Sequence, residues 1–275
     1  MVVERNAAEP VMPLDLFKIR AFSTTTAAAF LMGMSFMGII TYLPLYLQLG
    51  LGVPATQSGV AILPMMAGLI LSSGVAGRMV SKTGHYKRYM IGGAVCLIAG
   101  ILLMALMGQG ASVGQVAWRM FIIGLGLGPA QSLFSTVAQN SAPPGQMGVV
   151  TSASQFFRQI GSTVGTAIFG ALLTARLAGE MTARGEGGST SGLAQLQALA
   201  LNHETGVGAK ATVIDPVVRA AFTASMTTLF EAALVVVILG LIAIIVIPHV
   251  ELKKHHVHAE PVAEPGEGTA GIVEA

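Results

Sequence analysis

Three ionisable side chains, Arg119, Arg158 and Glu231, stand inside long apolar stretches of the chain. A charge at the centre of a bilayer costs about 2.5–3.5 kcal/mol on insertion scales, so each requires a partner, a wet cavity or a route to the surface. Arg158 enters its stretch from one side and Glu231 enters its own from the other, each to a depth of roughly 15 Å at 1.5 Å per residue. A pair between them would offset the desolvation of both. Two roles are open to such a pair: a brace between neighbouring helices, or a protonatable carboxylate tuned by an arginine. Arg119, next to Trp118, lies only a few residues deep and can snorkel towards the headgroups.

Arg158 also belongs to a polar row. Thr151, Gln155, Arg158, Ser162 and Thr166 are separated by four, three, four and four residues, which places them on one stripe of a helix. Such a stripe lines a water-accessible substrate cavity or knits helices together, and the arginine within it favours the cavity. Phe157, Val164, Ile168 and Leu172 fall on the other side and suit lipid or neighbouring helices. Gln131, Ser135 and Gln139 make a weaker row. Gly124, Gly126 and Gly128 precede Pro129, and Gly161 and Gly165 form a small-x-x-x-small pair; small residues let helices approach closely.

Soluble-type catalysis finds no footing. The six histidines lie outside the apolar stretches, and there is no Gly-x-Ser-x-Gly elbow, phosphate-binding loop or paired-cysteine motif. The chain reads as no enzyme, with no cofactor and no metal. His255, His256 and His258 belong to a Pro/Gly/Glu-rich tail with no further ligand at a useful spacing. Cys96, the single cysteine, forbids an intrachain disulfide. Any solute movement would draw on a gradient, because nothing here hydrolyses ATP.

These residues must be positioned by membrane helices. Of 275 residues, 53% are hydrophobic and 10% charged, against roughly 25% charged in a soluble domain. Between Asp15 and Glu180 lie 164 residues without a carboxylate, and between Arg20 and Arg78 lie 57 without any ionisable Asp, Glu, Lys, Arg or His. Deserts of that length become bilayer spans of about 20 residues each. The net charge of +2 supplies no field for nucleic acid. The pattern predicts an all-α membrane protein with six transmembrane helices in one bundle, near 22–47, 57–77, 89–107, 115–138, 149–175 and 222–247. Residues 1–20 form a lead-in without a cleavable signal, 21–250 the bundle, 177–221 an outer loop and 251–275 a disordered tail. Arg5, Lys18, Arg20, Arg78, Lys82, Lys87, Arg88, Lys253 and Lys254 all fall on one side, which puts both termini in the cytoplasm.

The segment between the second and third spans reads Gly77-Arg78-Met79-Val80-Ser81-Lys82-Thr83-Gly84-His85-Tyr86-Lys87-Arg88. Its Gly77, Arg78, Lys82, Gly84, Lys87 and Arg88 resemble the cytoplasmic loop signature of the major facilitator superfamily, in the copy found in the second half of its members. The lead-in Pro13-Leu14-Asp15-Leu16-Phe17-Lys18-Ile19-Arg20 and the stretch Ser154-Gln155-Phe156-Phe157-Arg158-Gln159-Ile160-Gly161 are similar to segments of the fourteen-span drug:proton antiporters of the EmrB/QacA branch. Arg119 with its following glycines is similar to the superfamily's fourth-span arginine motif, the first glycine coming five residues on rather than four.

The resemblance implies the C-terminal six-span half of such an antiporter, multi-pass in the cell membrane. It implies proton-coupled export of drugs or other small organic compounds, with Arg119 and Glu231 as coupling candidates. The sixth helix of such a bundle lies outside the cavity, which counts against Glu231. The implied partners are the lipid bilayer, a small organic substrate, protons, and a second six-helix bundle or another copy of the chain. The alternative is a truncated or split membrane subunit that does not transport alone and serves in assembly.

Overall fold

A computed structural model of the chain describes residues 14–107, 112–140, 146–184 and 216–248. The start of the lead-in, most of the expected outer loop and the tail with His255, His256 and His258 lie outside the described residues. Among those described there is no strand, and six helices are long and apolar enough to cross a membrane. They are α1 (Arg20–Leu45), α2 (Ala55–Thr83), α3 (Tyr86–Ala105), α4 (Val113–Asn140), α5 (Met147–Ala183) and α6 (Pro216–Val246). The chain is thus an all-α membrane protein with six spanning helices. Most overrun the apolar spans: α5 continues eight residues past 175 to Ala183, because helical hydrogen bonding needs no apolar side chains once the chain has left the hydrocarbon.

Helix α4 packs chiefly on α2 and α3, α1 chiefly on α5 and α6, and α3 and α6 meet each other. The glycines set these contacts. Gly124 and Gly128, four residues apart, share a face of α4, and a Cβ on either would strike the main chain of α2 at Met65 and at Leu69 to Ser73. Gly126 points the other way, where a Cβ would come within 2.6 Å of Leu97 on α3. Two residues turn a helix through about 200°, so one short run of alternate glycines serves two neighbours. Gly161 and Gly165 do the same for α5, bringing it onto the backbone of α1 at Phe30 and Met34.

The basic segment between the second and third spans is helix almost throughout. Gly77, Arg78 and Lys82 sit in the last turns of α2, Lys87 and Arg88 in the first turn of α3. Gly84 ends α2 with φ 71°, a left-handed conformation that favours glycine, and donates its N–H to the Val80 carbonyl at 2.8 Å.

Two cations fasten α6 at opposite ends. Lys87 Nζ donates to the carbonyls of Ile245 at 2.7 Å and Ile247 at 2.8 Å, and the buried Tyr86 hydroxyl donates to Pro248 at 3.0 Å. A lysine there satisfies carbonyls that the helix end leaves open and meets the negative end of its dipole. At the far end Arg219 Nε donates to the Gly50 carbonyl at 2.6 Å, closing the π-helical turn Tyr46–Gly50 that extends α1.

Candidate functional site

A cleft of about 180 Å³ opens between α1, α4 and α5. Met32, Gly33, Phe36 and Met37 line it from α1, Leu127, Ala130, Gln131 and Phe134 from α4, and Arg158, Gln159 and Ser162 from α5. Neither α3 nor α6 contributes a lining residue. Met32 lies roughly 18 Å from the start of α1, Arg158 roughly 16 Å from the start of α5 and Gln131 roughly 14 Å from the end of α4, at 1.5 Å per residue. These depths bring the lining residues to one level of the bundle.

Arg158 is the one ionisable residue of the lining, and among the described residues its guanidinium has no hydrogen-bond or ion-pair partner. The backbone around it is held firmly. Gly33 of α1 lies against the Arg158 carbonyl, and Ser162 Oγ donates to Gly33 O at 3.2 Å and to Arg158 O at 3.0 Å. The α1–α5 contact therefore fixes the helix and leaves the long arginine side chain at the cleft.

The five residues of the expected polar stripe divide. Arg158 and Ser162 line the cleft; Thr151, Gln155 and Thr166 do not. Thr151 accepts from Gln139 Nε2 at 2.9 Å and donates to its own helix at Met147, tying α5 to α4. Thr166 donates to the Ser162 carbonyl, while Tyr42 of α1 donates to the Thr166 carbonyl at 2.8 Å. Gln155 is exposed. Hydroxyls in a membrane helix bond back to the preceding turn, so a polar stripe can be largely self-satisfied. On the other side, Phe157 stacks edge-on against Phe17 and Ile168 is exposed. Gln159 and the apolar wall of Met32, Phe36 and Met37 carried no signal of their own, being single residues in otherwise ordinary membrane helices.

The expected Arg158–Glu231 pair does not form: no ion pair joins them among the described residues, and Glu231 is exposed on α6. Its neighbours explain this. Phe230 and Ala233 are buried, and Glu231, two positions before Ala233, is turned to the opposite side of the helix. Arg119 lies outside the cleft with its guanidinium 5.4 Å from the centre of the Trp118 ring. Its Nε and Nη1 are buried without a hydrogen-bond partner instead of reaching fully to the surface. Of the basic segment, Arg78, Lys82, Gly84 and Arg88 are exposed and Lys87 is half-buried on α6. Among the described residues no group of three His, Cys, Asp or Glu could hold a metal ion.

An all-helical, multi-pass bundle with a cleft lined by three of its six spanning helices is the build of a membrane transport protein. The comparisons give the family: the Major Facilitator Superfamily model matches residues 4–166, and the chain belongs to that superfamily of transporters, which are not enzymes. It is 38% identical over 176 residues to the multidrug transporter protein MdtP of Bacillus subtilis, covering 64% of this chain and 32% of that one. An MFS-type transporter of Mycobacterium tuberculosis is 30% identical over 269 residues, 95% of this chain and 37% of its own length. A tetracycline resistance determinant of Streptomyces rimosus is 32% identical over 177 residues, 64% of this chain and 51% of its own. The chain thus spans about a third to a half of the length of these relatives. The fold is matched at a TM-score of 0.66 by the crystal structure of a bacterial homologue of the human lysosomal transporter Spinster, inward-facing and unoccupied. That match is 15% identical and covers 88% of this chain and 52% of that one.

Proposed function

We propose that the chain forms one half of an alternating-access path that exports small organic compounds through the cell membrane in exchange for protons. The carrying observation is the cleft. Its 180 Å³ falls short of the roughly 300–1,000 Å³ of a complete small-molecule site, as one wall of a shared cavity would. Arg158, Gln131, Gln159 and Ser162 supply its polar groups, and methionine and phenylalanine its adaptable apolar surface. The names of the relatives, a multidrug transporter and a tetracycline resistance determinant, support organic compounds as the cargo.

The opposing wall is a second six-helix bundle, packed about the cleft in the manner of transporters built from repeats. Exposed apolar residues on α2 (Val60, Leu63, Ile70) and α5 (Phe156, Ile160) supply surface for that bundle and for lipid, with Gln155 at the same rim. Within the fourteen-span drug:proton branch this bundle takes the C-terminal place. Its basic end, with Arg78, Lys82 and Arg88, faces the cytoplasm, as do both termini. The proton-carrying acid belongs to the opposing bundle, since Glu231 is turned outward and Arg119 stands apart from the cleft.

The test is gradient-driven accumulation of a fluorescent naphthyl compound in liposomes holding the protein purified from its own membrane. A pH gradient should drive accumulation that a protonophore abolishes. Movement no faster than in empty liposomes, with or without the gradient, overturns the reading.

A further inference from the structure

We propose that the cleft takes organic anions: compounds with a carboxylate or similar acid group set against Arg158 and an aromatic or aliphatic body against Met32, Phe36 and Phe134. This rests on the cavity role proposed above and names the cargo it selects.

Arg158 is the sole ionisable residue of the lining and has no partner among the described residues. No carboxylate on the three helices of this bundle that line the cleft can neutralise it. The 164 residues between Asp15 and Glu180 contain no carboxylate, and they include all of α1 and α4 and α5 as far as Gly179. Glu180 is committed to Arg184, 3.3 Å away, and lies 22 residues beyond Arg158, roughly 33 Å along the helix. Glu231 of α6 is exposed and unpaired with it.

An uncompensated guanidinium in a low-dielectric cleft attracts anions and repels cations far more strongly than it would in water. Its planar fork suits the two oxygens of a carboxylate. Gln131 and Gln159, on opposite walls, add amide donors beside it, and Ser162 already spends its proton on the Gly33 and Arg158 carbonyls. The one charged group free to meet a ligand on this wall is thus a donor, the guanidinium of Arg158. Arg119, the other arginine of the bundle, makes no comparable site: two of its nitrogens are shut away and it does not border the cleft.

Three probes of one shape and different charge test this: 2-naphthoate, 2-naphthylmethanol and (2-naphthylmethyl)trimethylammonium, titrated in detergent against the protein purified from its own membrane and followed by naphthyl fluorescence. The naphthoate should bind about tenfold more tightly than the alcohol, and the ammonium more weakly than either. In Arg158→Gln the carboxylate-to-alcohol ratio should fall from about ten to about one, a selective change that a general collapse of the cleft would not give. In Gln131→Glu, which adds the missing counter-charge across the cleft, the ratio should fall below one and the ammonium should gain. Binding of all three probes with no charge preference overturns the anion proposal and leaves the cavity standing; so does a preference that survives Arg158→Gln. Failure of all three to bind removes the cavity itself, and this inference with it.

Discussion

Towards α2, helix α4 presents Gly124 and Gly128 to bare main chain at Met65 and Ser73; towards α1 and α5 it presents Leu127, Gln131 and Phe134, which border the cleft. The two faces belong to one helix and share one span, yet one is closed to the limit of backbone contact and the other holds a cleft with an unpaired cation. The difference teaches how a bundle without a hydrophobic driving force between its helices stays together around a hole. Lipid tails are as apolar as leucine, so cohesion comes from close van der Waals approach, and the glycines concentrate it on the side away from the cleft.

The comparison breaks most sharply at the closed face. Gly124→Leu should remove the folded protein or lower its thermal midpoint in detergent by the equivalent of about 3 kcal/mol, the upper end for overpacking, because the atoms it meets are backbone and cannot rotate away. Gly92→Ala, with nothing within 4 Å of the added carbon, should hold the midpoint or raise it slightly, since alanine favours the helix. Equal midpoints for both would mean that the α2–α4 contact does not carry the bundle.

At the open face the signs reverse. Arg158→Leu should melt no lower than the parent, since it deletes an unpaired charge from a poorly solvated place, while gradient-driven transport should fall at least tenfold. A variant that lost stability but kept transport would assign Arg158 to structure.

The fastening of α6 sharpens the contrast with a smaller effect. Lys87→Met should cost about 1 kcal/mol, the worth of a charge-assisted bond near a helix end, and Tyr86→Phe a similar or smaller amount. Hydrogen exchange should show the loss in the last turn of α6 and not around the cleft. Smallest of all, Glu231→Gln on the exposed side of α6 should change neither melting, within about 0.5 kcal/mol, nor transport. A large loss of proton-driven transport would return Glu231 to the mechanism.

The six helices were legible because a stretch such as 21–77 without Asp, Glu, Lys, Arg or His admits no other solution, and the glycine run before Pro129 announced close packing. Helical spacing put Arg158 and Ser162 on one arc of α5, and both border the cleft. Thr151, Gln155 and Thr166 share that arc without bordering the cleft, since a stripe fixes which residues share an arc and says nothing of which part of that arc faces a neighbour. The charge pair failed for the same reason: Arg158 and Glu231 have matching depths, but depth is one coordinate and rotation about α6 is another. The fastening by Lys87 and Arg219 could not be read, because it joins residues 158 to 169 positions apart through carbonyls that every sequence possesses.

That last property has a consequence for how the protein can change over generations. Both clamps on α6 grip carbonyl oxygens at Ile245, Ile247 and Gly50, with no side chain of the gripped residue taking part. Ile245, facing outward, is free to drift among apolar types as membrane composition changes, and the attachment survives each exchange. What the attachment asks of the sequence is the two gripping cations, Lys87 on α3 and Arg219 on α6, and not the identity of the residues they hold.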